Sequence, residues 1–146
     1  MAGYAPLKLR ARDADDLVVI SSVLQDALMP LGDIAYLEDE NSLYLVMNRF
    51  RWETGASGPA ERVHSGLRFD AVRNVRYRNI DRRNRGQFLS FLALFYEGDT
   101  DGESGTVTIQ YAGDAAIRLR VGGLYCMLSD FGEPWPAARA PEHDAG

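Results

Sequence analysis

The chain has 146 residues, 46% of them hydrophobic and 25% charged, with a formal charge of −5. That is the makeup of one globular domain, able to bury about 68–70% of its unfolded surface without staples. The single cysteine, Cys126, excludes an internal disulfide and a cysteine-based zinc site, and the negative balance works against nucleic-acid binding by bulk electrostatics.

No basic segment followed by an apolar core opens the sequence, and no run approaches the roughly 18 apolar residues of a membrane helix. The expectation is a cytoplasmic protein with no membrane partner. Lys8 is the only lysine, so almost every basic side chain is arginine. Arginine suits bidentate anion contacts, but GC-rich codon usage explains the bias first.

Residues 1–12 read as an arm. Asp13 has the chemistry of a helix N-cap, with Asp15 and Asp16 in the first turn where negative charge suits the helix dipole. Leu17, Ile20, Leu24, Ala27 and Leu28 recur at 3.6-residue spacing, which predicts a helix over 14–28, ended by Pro30 and Gly32. Ile34–Leu37 and Leu43–Trp52 read as strands around a turn at Glu38–Asn41. The second is apolar on both faces and therefore calls for cover on both. Thr54–Ala60, small residues plus Pro59, reads as a mobile loop.

Arg62–Asp70 alternates, with Val63, Ser65, Leu67 and Phe69 on one side and Arg62, His64, Arg68 and Asp70 on the other. A strand over Val72–Arg78 and a polar turn over Ile80–Gln87 follow. Phe88–Tyr96 is an almost unbroken apolar run, read as a buried strand with Leu89, Phe91, Ala93 and Phe95 on one face and Phe88, Leu92, Leu94 and Tyr96 on the other. After an acidic loop, Gly98–Gly105, comes the clearest element of the chain. Thr106–Val121 alternates on both sides of Gly113-Asp114 and predicts a β-hairpin. Its inward residues are Val107, Ile109, Tyr111, Ile117, Leu119 and Val121, with Arg118 and Arg120 outward. Leu124, Met127, Leu128 and Phe131 fall at helical spacing and predict a short helix over 123–130, with a surface tail containing Pro134, Pro136 and Pro141 behind it.

The order implies an α+β fold: a mostly antiparallel β-meander of about seven strands, arranged as a pleckstrin-homology-like barrel or a two-layer sheet, with one helix at each end. A single domain covers 1–146, with a core at 6–132 and a flexible tail at 133–146.

Four segments carry a resemblance: Leu24-Gln25-Asp26-Ala27, Asn48-Arg49-Phe50-Arg51-Trp52-Glu53, Glu61 to Asp70 (Glu-Arg-Val-His-Ser-Gly-Leu-Arg-Phe-Asp), and Phe131-Gly132-Glu133-Pro134-Trp135. Over residues 6–143 the chain resembles a family of short, mainly alphaproteobacterial single-domain proteins defined as domain of unknown function 2948. The resemblance implies a soluble bacterial domain and carries over no activity and no site residue.

The residues spell out no nucleophile motif, phosphate loop or metal box. Only two histidines are present, His64 and His143, too few for a histidine-based zinc or iron triad. A Cys126–His64 pair is conceivable chemistry, but Cys126 sits among Leu124, Tyr125, Met127 and Leu128, where it reads as a small buried hydrophobe. The chain therefore reads as a non-catalytic protein-interaction or self-associating module, with an enzyme the weakest reading and no cofactor or metal.

Two surfaces carry the alternative of an anionic small ligand or RNA. One is Arg49, Arg51, Trp52, Arg62, His64 and Arg68, gathered if the second and third strands form a hairpin; these are residue types enriched at binding hot spots. The other is the run from Arg73 to Arg85, six arginines against one acid, Asp81, leaving a formal +5. Within it Arg76, Arg78, Arg82, Arg83 and Arg85 are candidate nucleic-acid contacts. The doubly apolar run Phe88–Tyr96 predicts a homodimer unless the first helix covers it.

Overall fold

Alternation at period two decides most of the architecture. The computed structural model describes residues 5–52 and 60–137. Their elements are β1 (Lys8–Ala11), α1 (Ala14–Val23), β2 (Leu28–Pro30), β3 (Ile34–Leu37), β4 (Ser42–Phe50), β5 (Glu61–Phe69), β6 (Val72–Arg78), β7 (Phe88–Gly98), β8 (Gly105–Tyr111), β9 (Ala115–Val121) and β10 (Cys126–Pro136). The fold is α+β, with one helix and a large antiparallel sheet. No described helix is long and apolar enough to cross a membrane.

The sheet is one path of antiparallel neighbours, β1-β10-β5-β4-β2-β7-β8-β9-β6, with β3 added to β4. It is open. Short β2 pairs with β4 and β7 together, at Leu28↔Asn48 and Leu28↔Ser90, and so joins two halves of the sheet. Both halves feed a single core, and Leu45, Leu67 and Leu128 of one half belong to the same buried cluster as Phe91, Ile109 and Leu119 of the other.

The β8–β9 hairpin is as the alternation predicts. Val107, Ile109, Tyr111, Ile117, Leu119 and Val121 are buried, while Arg118 and Arg120 face outward. Gly113 and Asp114 take φ of 77° and 57° at the turn, the left-handed region that glycine and aspartate tolerate best.

Three departures raise the strand number from the expected seven to ten and remove the pleckstrin-homology-like barrel. The N-terminal arm contributes β1, because Lys8–Ala11 finds an open partner in β10. The helix stops at Val23 rather than residue 28. Asp26 turns with φ 64°, the Asp26 N–H bonds to the Phe91 carbonyl, and the Phe91 N–H bonds to the Ala27 carbonyl. Ala27 and Met29 are then buried as alternate residues of an extended segment. Finally, among the described residues no helix follows residue 123. Cys126, Leu128 and Asp130 point inward from β10 while Phe131 points out. A charged inward residue disguised the strand, and the outward apolar Met127 and Phe131 imitated helical spacing. Glu133–Pro136, expected in the tail, lie in this strand, and Trp135 and Pro136 pair with Arg62 and Glu61 of β5. The proposed mobile loop 54–60 lies outside the described residues except for Ala60, as does the tail from residue 138.

Along β7 a bulge between Phe91 and Ala93 shifts the register. Simple alternation therefore fails past residue 92: Leu89, Phe91 and Leu94 are buried, while Phe88, Leu92 and Phe95 are 62%, 47% and 57% exposed. The helix covers the inner side of this strand. Asp13 caps it by accepting from the Asp16 N–H at 2.8 Å, Leu17 and Ile20 sit in the core, and Ser21 Oγ accepts from the Leu94 N–H at 3.0 Å.

Leu119 is wholly buried in the hairpin. Leu119→Ala should lower unfolding free energy by about 2–5 kcal/mol, and Arg118→Ala, one residue away on the outer face, by less than about 0.5 kcal/mol. Urea titration of the two variants checks both.

Candidate interaction surfaces

One buried ion pair sets the geometry of β4, β5 and β10. The Arg49 and Asp130 side chains are both fully buried, with Nη2 to Oδ2 at 2.6 Å and Nε to Oδ1 at 2.9 Å. Arg49 Nη1 also donates to the Phe50 carbonyl at 2.9 Å. Asp130 Oδ1 accepts from Ser65 Oγ at 2.5 Å, and Oδ2 accepts from the Leu7 N–H at 2.9 Å. Burial alone would raise the Asp130 carboxyl. The hydrogen bonds from Arg49, Ser65 and Leu7 outweigh it and hold the group below the usual carboxylate range.

The residues on the opposite face of the same strands form an aromatic and arginine cluster. Strand pairing sets Asn48 and Phe131 on either side of His64, and Phe50 and Trp135 on either side of Arg62. His64 stacks on Phe131 with ring centres 5.5 Å apart and meets Trp135 at 4.6 Å. The Arg62 guanidinium lies over the Phe50 ring at 4.6 Å, while its Nη1 donates to Asn48 Oδ1 at 2.8 Å. Trp52 packs on Phe50 at 5.2 Å. Trp135 reaches His64 because the register of β10 breaks between Phe131 and Trp135, where Gly132 takes φ 72°. Phe131 is 46% and Trp52 39% exposed.

Of the six residues proposed for this surface, Trp52, Arg62 and His64 share the outer face. Arg51 is bound to Glu61 at its margin. Arg49 points inward and serves the buried pair. Arg68 lies four residues beyond His64 on β5, about 13 Å away; it is bonded to Asp70 at 2.7 Å and lies over Tyr44 at 5.1 Å. Phe131 and Trp135 escaped the sequence reading because their segment reads as a helix end and a tail. Asp130 and Ser65 gave no signal, since a buried charge announces itself only through its partner.

The arginines of 73–85 divide between two places. Arg76 and Arg78 project from the outer face of β6, where Arg76 stands directly opposite Arg118 and Arg78 is bonded to Asp114 at 3.1 Å. Arg82, Arg83 and Arg85 instead border a hollow of about 460 Å³ shared with Leu31, Ile34, Tyr36 and Tyr77.

Cys126 sits on the inner face of β10 opposite Phe69, five residues along the strand from the level of His64, and burial pushes its thiol strongly up. That removes the thiolate a nucleophile needs. Among the described residues no three His, Cys, Asp or Glu side chains are grouped to hold a metal ion.

Fold and surfaces together define an α+β protein built on an open antiparallel sheet, with rings and arginines gathered on the outer face of β4, β5 and β10. The chain belongs to the protein family of unknown function DUF2948, whose sequence profile matches residues 7–143. No curated protein and no solved structure matches it.

Because Asp130 is held low, its contribution to stability is present above the unfolded carboxyl value and is lost as pH falls through the folded one. Asp130→Ala should cost about 3–5 kcal/mol at neutral pH, since it strands a buried guanidinium. The gap to wild type should start to shrink once pH falls below the unfolded carboxyl value of about 4 and keep shrinking as pH falls through the lower folded one. Chemical unfolding of both proteins between pH 7 and 3 measures this.

Proposed function

We propose that the chain is a non-catalytic protein-interaction module whose docking surface is the outer face of β4, β5 and β10. One observation carries this reading. Trp52 and Arg62 pack on Phe50, and Phe131 and Trp135 pack on His64, side by side on a three-stranded platform whose other side is pinned by a buried ion pair. Rings and arginine on rigid strands are the residue types that dominate binding energy at interfaces, because little side-chain freedom is lost on contact. The matching partner is a polypeptide offering apolar side chains to the rings and an acidic group to Arg62 and His64. An enzymatic reading has less support, since His64 and Cys126 lie on opposite faces of the sheet. A continuous RNA track has less support too, since the arginines of 73–85 divide between two sites.

A second reading, self-association, draws on a different observation. Phe88, Leu92 and Phe95 all project outward from β7, and three large apolar side chains in one exposed strand make a natural two-fold contact.

Panning displayed random peptides against the full chain tests the first reading. Enriched peptides should combine acidic with aromatic or aliphatic residues, and Trp135→Ala should weaken them about tenfold or more, the cost of one hot-spot side chain. Peptides that bind Trp135→Ala and Phe131→Ala as well as wild type would overturn it. Sedimentation equilibrium tests the second: a micromolar dimer should become a monomer on Phe95→Ser, and a wild-type monomer removes the dimer.

A further inference from the structure

The sheet leaves one seam open, and that seam has the chemistry of a ligand site. Among the described residues the far edge of β3 meets no strand, and the far edge of β6 ends the sheet. The two approach each other where the Tyr36 hydroxyl donates to the Val72 carbonyl at 3.0 Å and the Val72 N–H donates to the Asn41 carbonyl at 2.8 Å. Further along, residues 79–87 cross the gap. The Leu31 and Gly32 N–H groups donate to the Gln87 and Arg85 carbonyls at 2.9 and 3.0 Å. Gly32 permits this approach, because a Cβ there would stand 3.3 Å from the Arg85 carbonyl oxygen. The space beneath the crossing is the hollow of about 460 Å³, within the range of small-ligand pockets.

We infer that this hollow binds a phosphorylated aromatic ligand of the nucleotide class, with Tyr36, Tyr77, Leu31 and Ile34 against the flat ring and Arg82, Arg83 and Arg85 on the phosphate. The inference goes beyond the protein-docking reading and rests on other residues.

Arg82 lies over the Tyr77 ring at 4.4 Å and has no carboxylate partner among the described residues. Arg85 Nη2 donates to the Gly32 carbonyl at 3.0 Å, a neutral acceptor that positions the guanidinium and leaves its charge uncompensated. The Arg83–Asp81 pair is 3.6 Å apart, with the two side chains 96% and 61% exposed, an arrangement that contributes little in water. Other arginines are held against close carboxylates: Arg49 by Asp130, Arg51 by Glu61, Arg120 by Asp99. The hollow is therefore a positive point in a chain of net charge −5. Guanidinium forks match phosphate oxygens in pairs, and a ring held between tyrosine and aliphatic walls fixes the rest of the molecule. The overall negative charge opposes a long polyanion and favours a compact one. The phosphate and ring belong either to a free nucleotide or to the end of a single-stranded RNA.

Isothermal titration of the full chain at low salt tests this with ADP, adenosine, inorganic phosphate and a short 5′-phosphorylated RNA. ADP should bind more tightly than adenosine or phosphate, and Arg82→Gln should weaken it about tenfold or more, as expected for loss of a charge-assisted contact. Arg118→Gln, on the outer face of β9, should bind as wild type. All three arginines are exposed, so unchanged thermal midpoints separate lost binding from lost folding. RNA binding tighter than ADP with the same Arg82 dependence supports the site and assigns the phosphate to an RNA end. Absence of binding by every probe, adenosine binding as well as ADP, or ADP affinity unchanged in both Arg82→Gln and Arg85→Gln overturns the inference.

Discussion

The contact between Arg49 and Asp130 constrains more of this fold than any apolar pair does. Moving either charge out of water costs several kcal/mol, so the pair persists only because its geometry is nearly complete. Two parallel guanidinium–carboxylate bonds, the Ser65 hydroxyl, the Leu7 N–H and the Phe50 carbonyl all converge on it. They join β4, β5, β10 and the segment leading into β1. A one-residue slip of β10 would expose Asp130 and drive Phe131 inward, stranding the Arg49 charge; register here is thus fixed by electrostatics as well as by apolar pattern. The outer cluster of Phe50, Arg62, His64 and Phe131 is the other half of the same alternation.

A second constraint is that the sheet does not close. Its halves communicate through the three residues of β2, and α1 covers the inner side of β7 where β2 has ended. The free edge at β6 carries Arg73, Arg76 and Arg78, and charged side chains on an edge discourage pairing with another sheet. That gives these arginines a structural role independent of any ligand. The remaining arginines of the run, at 82, 83 and 85, lie where residues 79–87 bridge the seam, so one basic stretch of sequence serves two physical purposes.

What the sequence made legible follows from where its signals are local. The β8–β9 hairpin was readable because alternation, turn residues and burial agree along one continuous stretch. The pairing of β4 with β5, and with it the approach of Trp52, Arg62 and His64, was readable because the connection between them is short. Elements whose identity depends on distant partners were not. Lys8–Ala11 and Leu28–Pro30 become strands only because β10 and β7 offer open edges, and β10 conceals itself by burying Asp130 against a residue 81 positions away. The bulge in β7 has no sequence signal in an all-apolar run. Phe131 and Trp135 became part of the surface only once β10 was a strand.

The buried ion pair holds β10 in the register that presents the outer aromatic face. Nuclear Overhauser contacts between the His64 and Trp135 rings measure that register directly. Strong contacts are expected in the wild-type chain. They should be lost in Asp130→Ala while contacts between Ile109 and Ile117 in the β8–β9 hairpin remain. Contacts absent from wild type, or unchanged in Asp130→Ala, would contradict this role of the ion pair.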